Sequence, residues 1–217
     1  MTLIRESGPR RGRGATCNPD GRFATRSTEA ADDGWGEPDA ESRQLPTIVV
    51  EQAARSIIAR NDSPDVPFDQ SVNPYQGCEH GCVYCYARPS LAYLNLSPGL
   101  DFETRIFAKT NAAELLREEL AARAYRCSPI ALGANTDPYQ PAERQLRITR
   151  AVLAVLTDCR HPFTITTKGA LVERDLDLIA PAAAQGLARV FISVPQLDPQ
   201  LARRLEPRAS APARRIE

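Results

Sequence analysis

At 217 residues and 23.8 kDa, the chain is long enough for one domain with a sizeable hydrophobic core and some additional tail. Its 27 basic and 27 acidic residues cancel and the pI is near 6.7, so no global field draws it to nucleic acid or anionic lipid, although local nucleic-acid contacts stay open. No apolar run reaches the length of a membrane-spanning helix and Met1 to Arg13 has no apolar signal core, so a cytoplasmic protein with no membrane partner is expected.

Residues 1–45 are rich in Arg, Gly, Asp, Glu and Ser, first basic (Arg10, Arg11, Arg13) and then acidic (Asp32, Asp33, Glu37, Asp39, Glu41). With almost no aliphatic content the segment reads as a disordered polar tail, in which Cys17 is a spectator and the arginines are solvated. A lead-in segment follows over 46–70. In it Ile48 to Ile58 forms a strand or short helix, and Asn61-Asp-Ser-Pro64 is a turn-rich link.

From residue 71 short apolar runs alternate with helical patterns. Ser71 to Gln76 is a strand running into a cysteine loop, and Arg105 to Lys109 is another extended piece. Asn111 to Ala124 is a helix with Leu115, Leu116 and Leu120 on one face, and Pro129 to Ala134 is a buried strand. Thr149 caps a helix whose apolar stripe is Val152, Val155, Leu156 and Cys159. The outer arginines Arg144, Arg147 and Arg150 read as a solvated face. Phe163 to Thr167 is the next strand, and Leu171 to Ala184 is helical with an interruption at Pro181. Arg189 to Val194 is strand-like, and Asp198-Pro199 opens a helix as N-cap and first-turn proline. This rhythm specifies βαβ units and a parallel sheet, doubly wound or curved into a barrel.

Cys78, Cys82 and Cys85 are spaced C-x3-C-x2-C, with Gly77 and Gly81 permitting tight turns. In a reducing compartment such a cluster is a metal-ligand set rather than a disulfide framework. Three thiolates on a four-iron cube leave one iron free to bind a substrate or cosubstrate. The alternative is a zinc knuckle completed by His80 or a distant cysteine, but common zinc sites use paired C-x2-C units. Cys127 precedes its strand whereas the cysteine loop follows one, which places them at opposite ends of a parallel sheet, on the order of 20 Å apart. Cys127 and Cys159 therefore read as buried small hydrophobes.

In parallel α/β folds the site lies at the C-terminal ends of the strands. Those positions hold Cys78 to Cys85, Asn135-Thr136-Asp137, Thr167-Lys168 and Ser193, all polar or metal-ligating. For Thr136 and Asp137 a turn role before Pro138 competes equally with a ligand role. A helix-entry role for Lys168-Gly169 does the same. Lysine occurs only at Lys109 and Lys168, which makes each worth inspecting, although coding bias is the commoner cause of such arginine-rich composition.

The C-x3-C-x2-C spacing with Tyr84 before the last cysteine resembles the signature of the radical SAM superfamily. Asn61-Asp-Ser-Pro64, Asn73-Pro-Tyr75, Cys85-Tyr-Ala-Arg88, Ala134-Asn-Thr-Asp-Pro-Tyr-Gln140 and Leu205-Glu-Pro-Arg208 are similar to an uncharacterised bacterial group in the spore photoproduct lyase branch. The resemblance implies an α/β fold, a partial (βα)6 TIM-like barrel, with the radical SAM core over 71–217. It implies a [4Fe–4S] cluster on Cys78, Cys82 and Cys85, with S-adenosylmethionine as cosubstrate. That cosubstrate is reductively cleaved to methionine and a 5′-deoxyadenosyl radical, which abstracts hydrogen from an unknown substrate. An electron donor such as flavodoxin or ferredoxin is implied as well. By the same likeness the Tyr84 backbone meets the adenine, Thr136 and Lys168 the methionine or ribose polar groups, and Ser193 the ribose. Asn135 and Asp137 complete the cofactor-binding set.

Two departures bear on activity. Spore photoproduct lyase has a hydrogen-donating cysteine where this chain reads Ala134, so thymine-dimer repair is not carried over. About four βα units follow Ser71 where the family barrel has more, so the chain is expected to be C-terminally truncated. Two alternatives therefore stay open beside the enzyme: an inactive cluster-binding fragment, and a zinc-stabilised nucleic-acid-binding module.

Overall fold

The computed structural model describes residues 10–25 and 45–217. Its strands are β1 (Ile48–Gln52), β2 (Ile58–Arg60), β3 (Gln70–Val72), β4 (Tyr75–Gln76), β5 (Arg105–Lys109), β6 (Ile130–Leu132), β7 (Phe163–Thr167) and β8 (Ala188–Ile192). Its helices are α1 (Leu100–Thr104), α2 (Ala112–Ala121), α3 (Glu143–Leu146), α4 (Ile148–Asp158), α5 (Leu176–Ala184), α6 (Pro199–Leu205) and α7 (Pro212–Ile216).

The main sheet has the order β2-β3-β6-β7-β8, antiparallel at β2–β3 and parallel from β3 onward. A smaller sheet, β1-β5-β4, pairs β1 parallel and β4 antiparallel to β5. The expected strand over Ser71 to Gln76 is thus two strands in different sheets. Pro74 lies between them and has no N–H to continue a ladder.

Sequence period and burial agree in the middle of the sheet. β7 reads Phe-Thr-Ile-Thr-Thr, in which Phe163, Ile165 and Thr167 face the core while Thr166 is exposed. α4 buries Val152, Leu153, Val155 and Leu156 against it, with Leu116 of α2 and Ile179 of α5 in the same core. That core also holds Tyr75, Ile106, Ile130 and Leu132, so both sheets share it. A second apolar cluster, formed by Cys78, Ala87, Leu91 and Phe102, lies beneath the cysteine loop.

Several expectations are corrected. Thr149 is not the N-cap of α4; Arg147 is, in the left-handed conformation with φ 53°. The capping acceptor is the buried carboxylate of Glu143, which takes the N–H groups of Thr149 at 2.9 Å and Arg150 at 3.2 Å. The Thr149 hydroxyl instead donates to Pro138 O at 2.6 Å. Arg150 is not purely solvated, since its guanidinium grips Asp177 with both Nη atoms and reaches Asp175 at 2.9 Å. Arg144 and Arg147 are exposed, as the face reading requires.

Cys127 and Cys159 are exposed rather than buried. Each sits where an element has just ended or not yet begun, beyond the reach of an opposing layer. Residues 10–25, read as part of the tail, are docked on the body of the protein: Arg13 is buried, and the Leu100 N–H donates to Cys17 O at 3.1 Å. Hydropathy could not show this, because the docking uses ionic and backbone hydrogen bonds rather than aliphatic burial. The remaining residues of the 1–45 segment, 1–9 and 26–44, lie outside the described residues.

Candidate functional site

The loop from Gly77 to Arg88 leaves β4 and passes over the ends of the parallel strands. Gly77 and Gly81 adopt φ of 78° and 66°, which side chains disfavour, so the two glycines set the loop's turns. Cys78 is fixed by its N–H donating to Phe102 O at 2.8 Å, and Cys85 by its N–H donating to Cys82 O at 3.2 Å. Arg88 holds the Cys82 carbonyl through Nε at 3.1 Å and Nη2 at 2.9 Å while pairing with Glu103 at 2.6 Å. Cys78 and Cys82 are buried and Cys85 is half-buried.

Burial pushes the Cys78 thiol well above its ordinary pKa, and burial followed by the Glu206 carboxylate pushes Cys82 up to about 12. Both are thiols in the metal-free chain, and metal uptake must displace their protons. Three cysteine thiols on one loop are the donor chemistry that iron–sulfur clusters use. Among the described residues no three His, Cys, Asp or Glu side chains converge closely enough to chelate one metal ion. His80 is buried and turns Nδ1 toward Asp137 Oδ2, at 3.2 Å but off the line of a well-formed hydrogen bond.

Two groups of residues flank the loop. On one side the Asp137 carboxylate accepts from Thr167 Oγ1 at 2.6 Å, the Lys168 N–H at 2.7 Å and the Tyr139 N–H at 2.8 Å. Burial raises its pKa, but His80 and these donors outweigh burial and hold it below the usual carboxylate range. The Thr136 hydroxyl donates to Tyr75 O at 2.8 Å, and the N–H groups of Asn135 and Thr136 both point at Asn73 Oδ1. Asp137 and Thr136 thus tie the β6 and β7 ends to the cysteine loop. The turn role weighed for them is present in the Tyr139 N–H bond.

On the other side Lys168 Nζ donates to Ser193 Oγ at 2.7 Å, lies 3.7 Å from Glu206 Oε1, and sits 5.8 Å from the centre of the Tyr84 ring. The Tyr84 hydroxyl donates to Glu206 as well. Arg215 completes the group, reaching Glu206 at 2.6 Å and Ser193 O at 2.9 Å. The structure therefore brings Tyr84, Lys168 and Ser193 together, and it places Asn135, Thr136 and Asp137 on the β6 end.

Sequence reading missed Glu206 and Arg215. Glu206 stands in the Leu205-Glu-Pro-Arg208 text, but a charge just past the end of a helix has no periodicity that marks it as buried. Only contact with Lys168 and Tyr84 reveals it.

Comparison with known proteins follows the same residues. An uncharacterised protein of Mycobacterium tuberculosis is 44% identical over 151 residues, covering 70% of this chain and 44% of that protein. A protein of Methanocaldococcus jannaschii, also uncharacterised, is 27% identical over 146 residues, covering 67% of this chain and 52% of that one. The chain thus spans about half the length, or less, of these relatives. Among solved structures, a spore photoproduct lyase mutant with bound AdoMet and dinucleoside spore photoproduct superposes with a TM-score of 0.51. It is 18% identical and covers 77% of this chain and 45% of its own. A second spore photoproduct lyase structure gives 0.52 at 18% identity, with the same coverage. This likeness shows the fold, a partial TIM-like barrel. The radical SAM superfamily model matches residues 72–217, which take in the cysteine loop, the ends of β6, β7 and β8 and Glu206, and the chain accordingly belongs to the radical SAM superfamily.

Proposed function

We propose that the protein is a radical SAM enzyme in which Cys78, Cys82 and Cys85 hold a [4Fe–4S] cluster and S-adenosylmethionine binds beside it. The observation that carries the reading is that three cysteines share one loop with Tyr84, and that Tyr84 meets Lys168 and Glu206, with Ser193 on Lys168, at the strand ends. When bound, the cluster supplies one electron to the sulfonium and so releases a 5′-deoxyadenosyl radical.

The chain's own residues supply position and charge. Lys168 is a cation within reach of a methionine carboxylate, currently shared between Ser193 and Glu206. Tyr84, about half exposed, offers its ring and backbone to an adenine, and Ser193 offers a hydroxyl to the ribose. Asn135, Thr136 and Asp137 set the floor at the β6 end. A flavodoxin or ferredoxin would supply the reducing electron. The resemblance matches Ala134 to a hydrogen-donating cysteine in the lyase branch, so thymine-dimer repair is no part of the proposal.

The test is anaerobic reconstitution with iron and sulfide, followed by dithionite and S-adenosylmethionine, with 5′-deoxyadenosine measured beside a Cys82→Ala control. Wild-type protein yields the product and the control does not. Lys168→Met weakens S-adenosylmethionine binding by roughly tenfold or more, the worth of one charged hydrogen bond. Absence of iron-dependent product in the wild type removes the enzyme reading. Tight zinc with refusal of iron would favour the zinc-stabilised module instead.

A further inference from the structure

The docked segment 10–25 converges on the cysteine loop. Arg13, with only 8% of its surface exposed, donates from Nη1 to Glu103 O at 2.7 Å and from Nη2 to Leu45 O at 2.6 Å and Thr47 Oγ1 at 3.0 Å. Thr47 Oγ1 passes the contact on, donating to Glu79 Oε2 at 2.8 Å, and Glu79 lies between Cys78 and Cys82. Next to Arg13, the N–H groups of Gly14 and Ala15 donate to the two Glu103 carboxylate oxygens at 2.9 and 2.8 Å. Glu103 is fully buried, and its Oε1 also receives Arg88, the side chain that holds the Cys82 carbonyl.

Steric fit gives a second, independent observation. A Cβ on Gly14 would lie 1.9 Å from Gly81 O and 3.1 Å from Val83 Cγ1, so the segment's backbone rests directly on the loop. Gly81 is enclosed from its other side too, where a Cβ would meet Glu103 Oε2 at 2.7 Å. Ordering such a segment costs backbone entropy, and it buries almost no aliphatic surface in return. The directed bonds of Arg13, Gly14 and Ala15 end on Glu103, Leu45 and Thr47; the Glu103 and Thr47 side chains in turn hold Arg88 and Glu79 of the loop, and the Gly14 backbone packs on the loop itself.

We infer that residues 13–17 are a clasp on the cysteine loop, with Arg13 and Gly14 as positioning residues that hold the Gly81–Cys82 backbone closed over the thiols. The inference takes the loop's role from the proposed function. The clasp also accounts for one arginine of the basic run, since the Arg13 charge is spent inside the protein and not offered to nucleic acid.

The test uses the full chain, metal-free, with maleimide labelling resolved by cysteine in mass spectrometry. The exposed Cys127 and Cys159 serve as internal references. Gly14→Val and Arg13→Ala raise Cys82 labelling relative to those references by about tenfold, the consequence of losing directed bonds to a buried charge. Arg22→Ala, which alters an exposed arginine of the same segment lying over the Phe23 ring, leaves the ratio unchanged. After reconstitution, the two clasp variants lose cluster absorbance in air faster than wild type. Unchanged labelling ratios in variants with native circular dichroism overturn the clasp. If Arg13→Ala or Gly14→Val does not fold, Gly14→Ala adds only the Cβ that would meet Gly81 O at 1.9 Å, and an unchanged ratio in that folded variant overturns the clasp equally. A wild-type chain that takes up no iron would sink the proposed function, while the labelling comparison would still decide the clasp.

Discussion

The two ends of the parallel sheet are built from different chemistry. At the C-terminal ends of its strands and around the cysteine loop beside them, carboxylates are buried and paired: Glu103 with Arg88, Glu206 with Arg215, and Glu143 with Arg174. At the N-terminal ends the buried polar groups are neutral, with the Tyr125 hydroxyl 2.8 Å from Gln70 Oε1 and 2.6 Å from His161 Nε2. Burying an ion costs several kcal/mol even after relaxation, so a structure needing only stability would keep its charges at the surface. Buried charge concentrated at one end marks where geometry, rather than stability alone, is being fixed. The cysteines divide the same way, with Cys78, Cys82 and Cys85 at the charged end and the exposed Cys127 and Cys159 away from it.

Removing cysteines is the strongest way to break this comparison. Alanine at Cys78, Cys82 or Cys85 should abolish stable iron and sulfide retention after reconstitution, whereas Cys127→Ser and Cys159→Ser should retain wild-type content. Iron and acid-labile sulfide per chain decide it, and retention of a full complement by a Cys85→Ala protein would contradict the ligand assignment.

Next in size is the loss of a buried carboxylate. Glu143 accepts from Arg174 at 2.7 Å, from the first N–H groups of α4 and from the Tyr75 hydroxyl, so Glu143→Gln leaves Arg174 and a helix end short of an acceptor. The expected cost is about 3 kcal/mol, read as a lower urea midpoint at unchanged slope. A midpoint within error of wild type would show that the charged end is dispensable for stability.

The smallest effect belongs to the neutral end. Desolvation lowers the His161 pKa below its ordinary value of 6.5, opposed by the Pro162 carbonyl. The folded state therefore favours neutral imidazole, and between the two pKa values the unfolded chain binds more protons. This stabilisation is complete above pH 6.5 and is lost as pH falls through the folded pKa. Melting temperatures of wild type and His161→Gln, compared from pH 8 down to pH 5, should converge on the acid side. Divergence there would reverse the sign and place a charged imidazole in the fold.

Much of this is legible in the sequence. The strand Phe163 to Thr167 and the stripe of Val152, Val155 and Leu156 followed from period, because side-chain direction repeats within one element. Asp198 was legible as a cap, and it accepts from the N–H groups of Gln200 and Leu201 as its spacing requires. Strand-end position picked out Lys168 and Ser193, which meet at 2.7 Å although 25 residues apart in sequence. Thr149 misled because a hydroxyl before a helical stripe looks the same in sequence whether it caps or packs, and Glu143, six residues earlier, does the capping.

What the sequence by itself determined is the cysteine spacing, the βα rhythm and the residues brought to the strand ends, since each is set by local repeat or by chain direction along a strand. Only the tertiary structure decided that Gly14 rests on the loop while Arg13 reaches Glu103 beside it, that Glu206 joins Lys168 and Tyr84, and that Cys127 and Cys159 face outward. These are contacts between residues tens of positions apart, held by directed bonds between polar groups. Hydrophobic pattern carries no signal for such bonds, so composition made the Arg13 segment look like a solvated tail when its contacts in the fold make it a clasp.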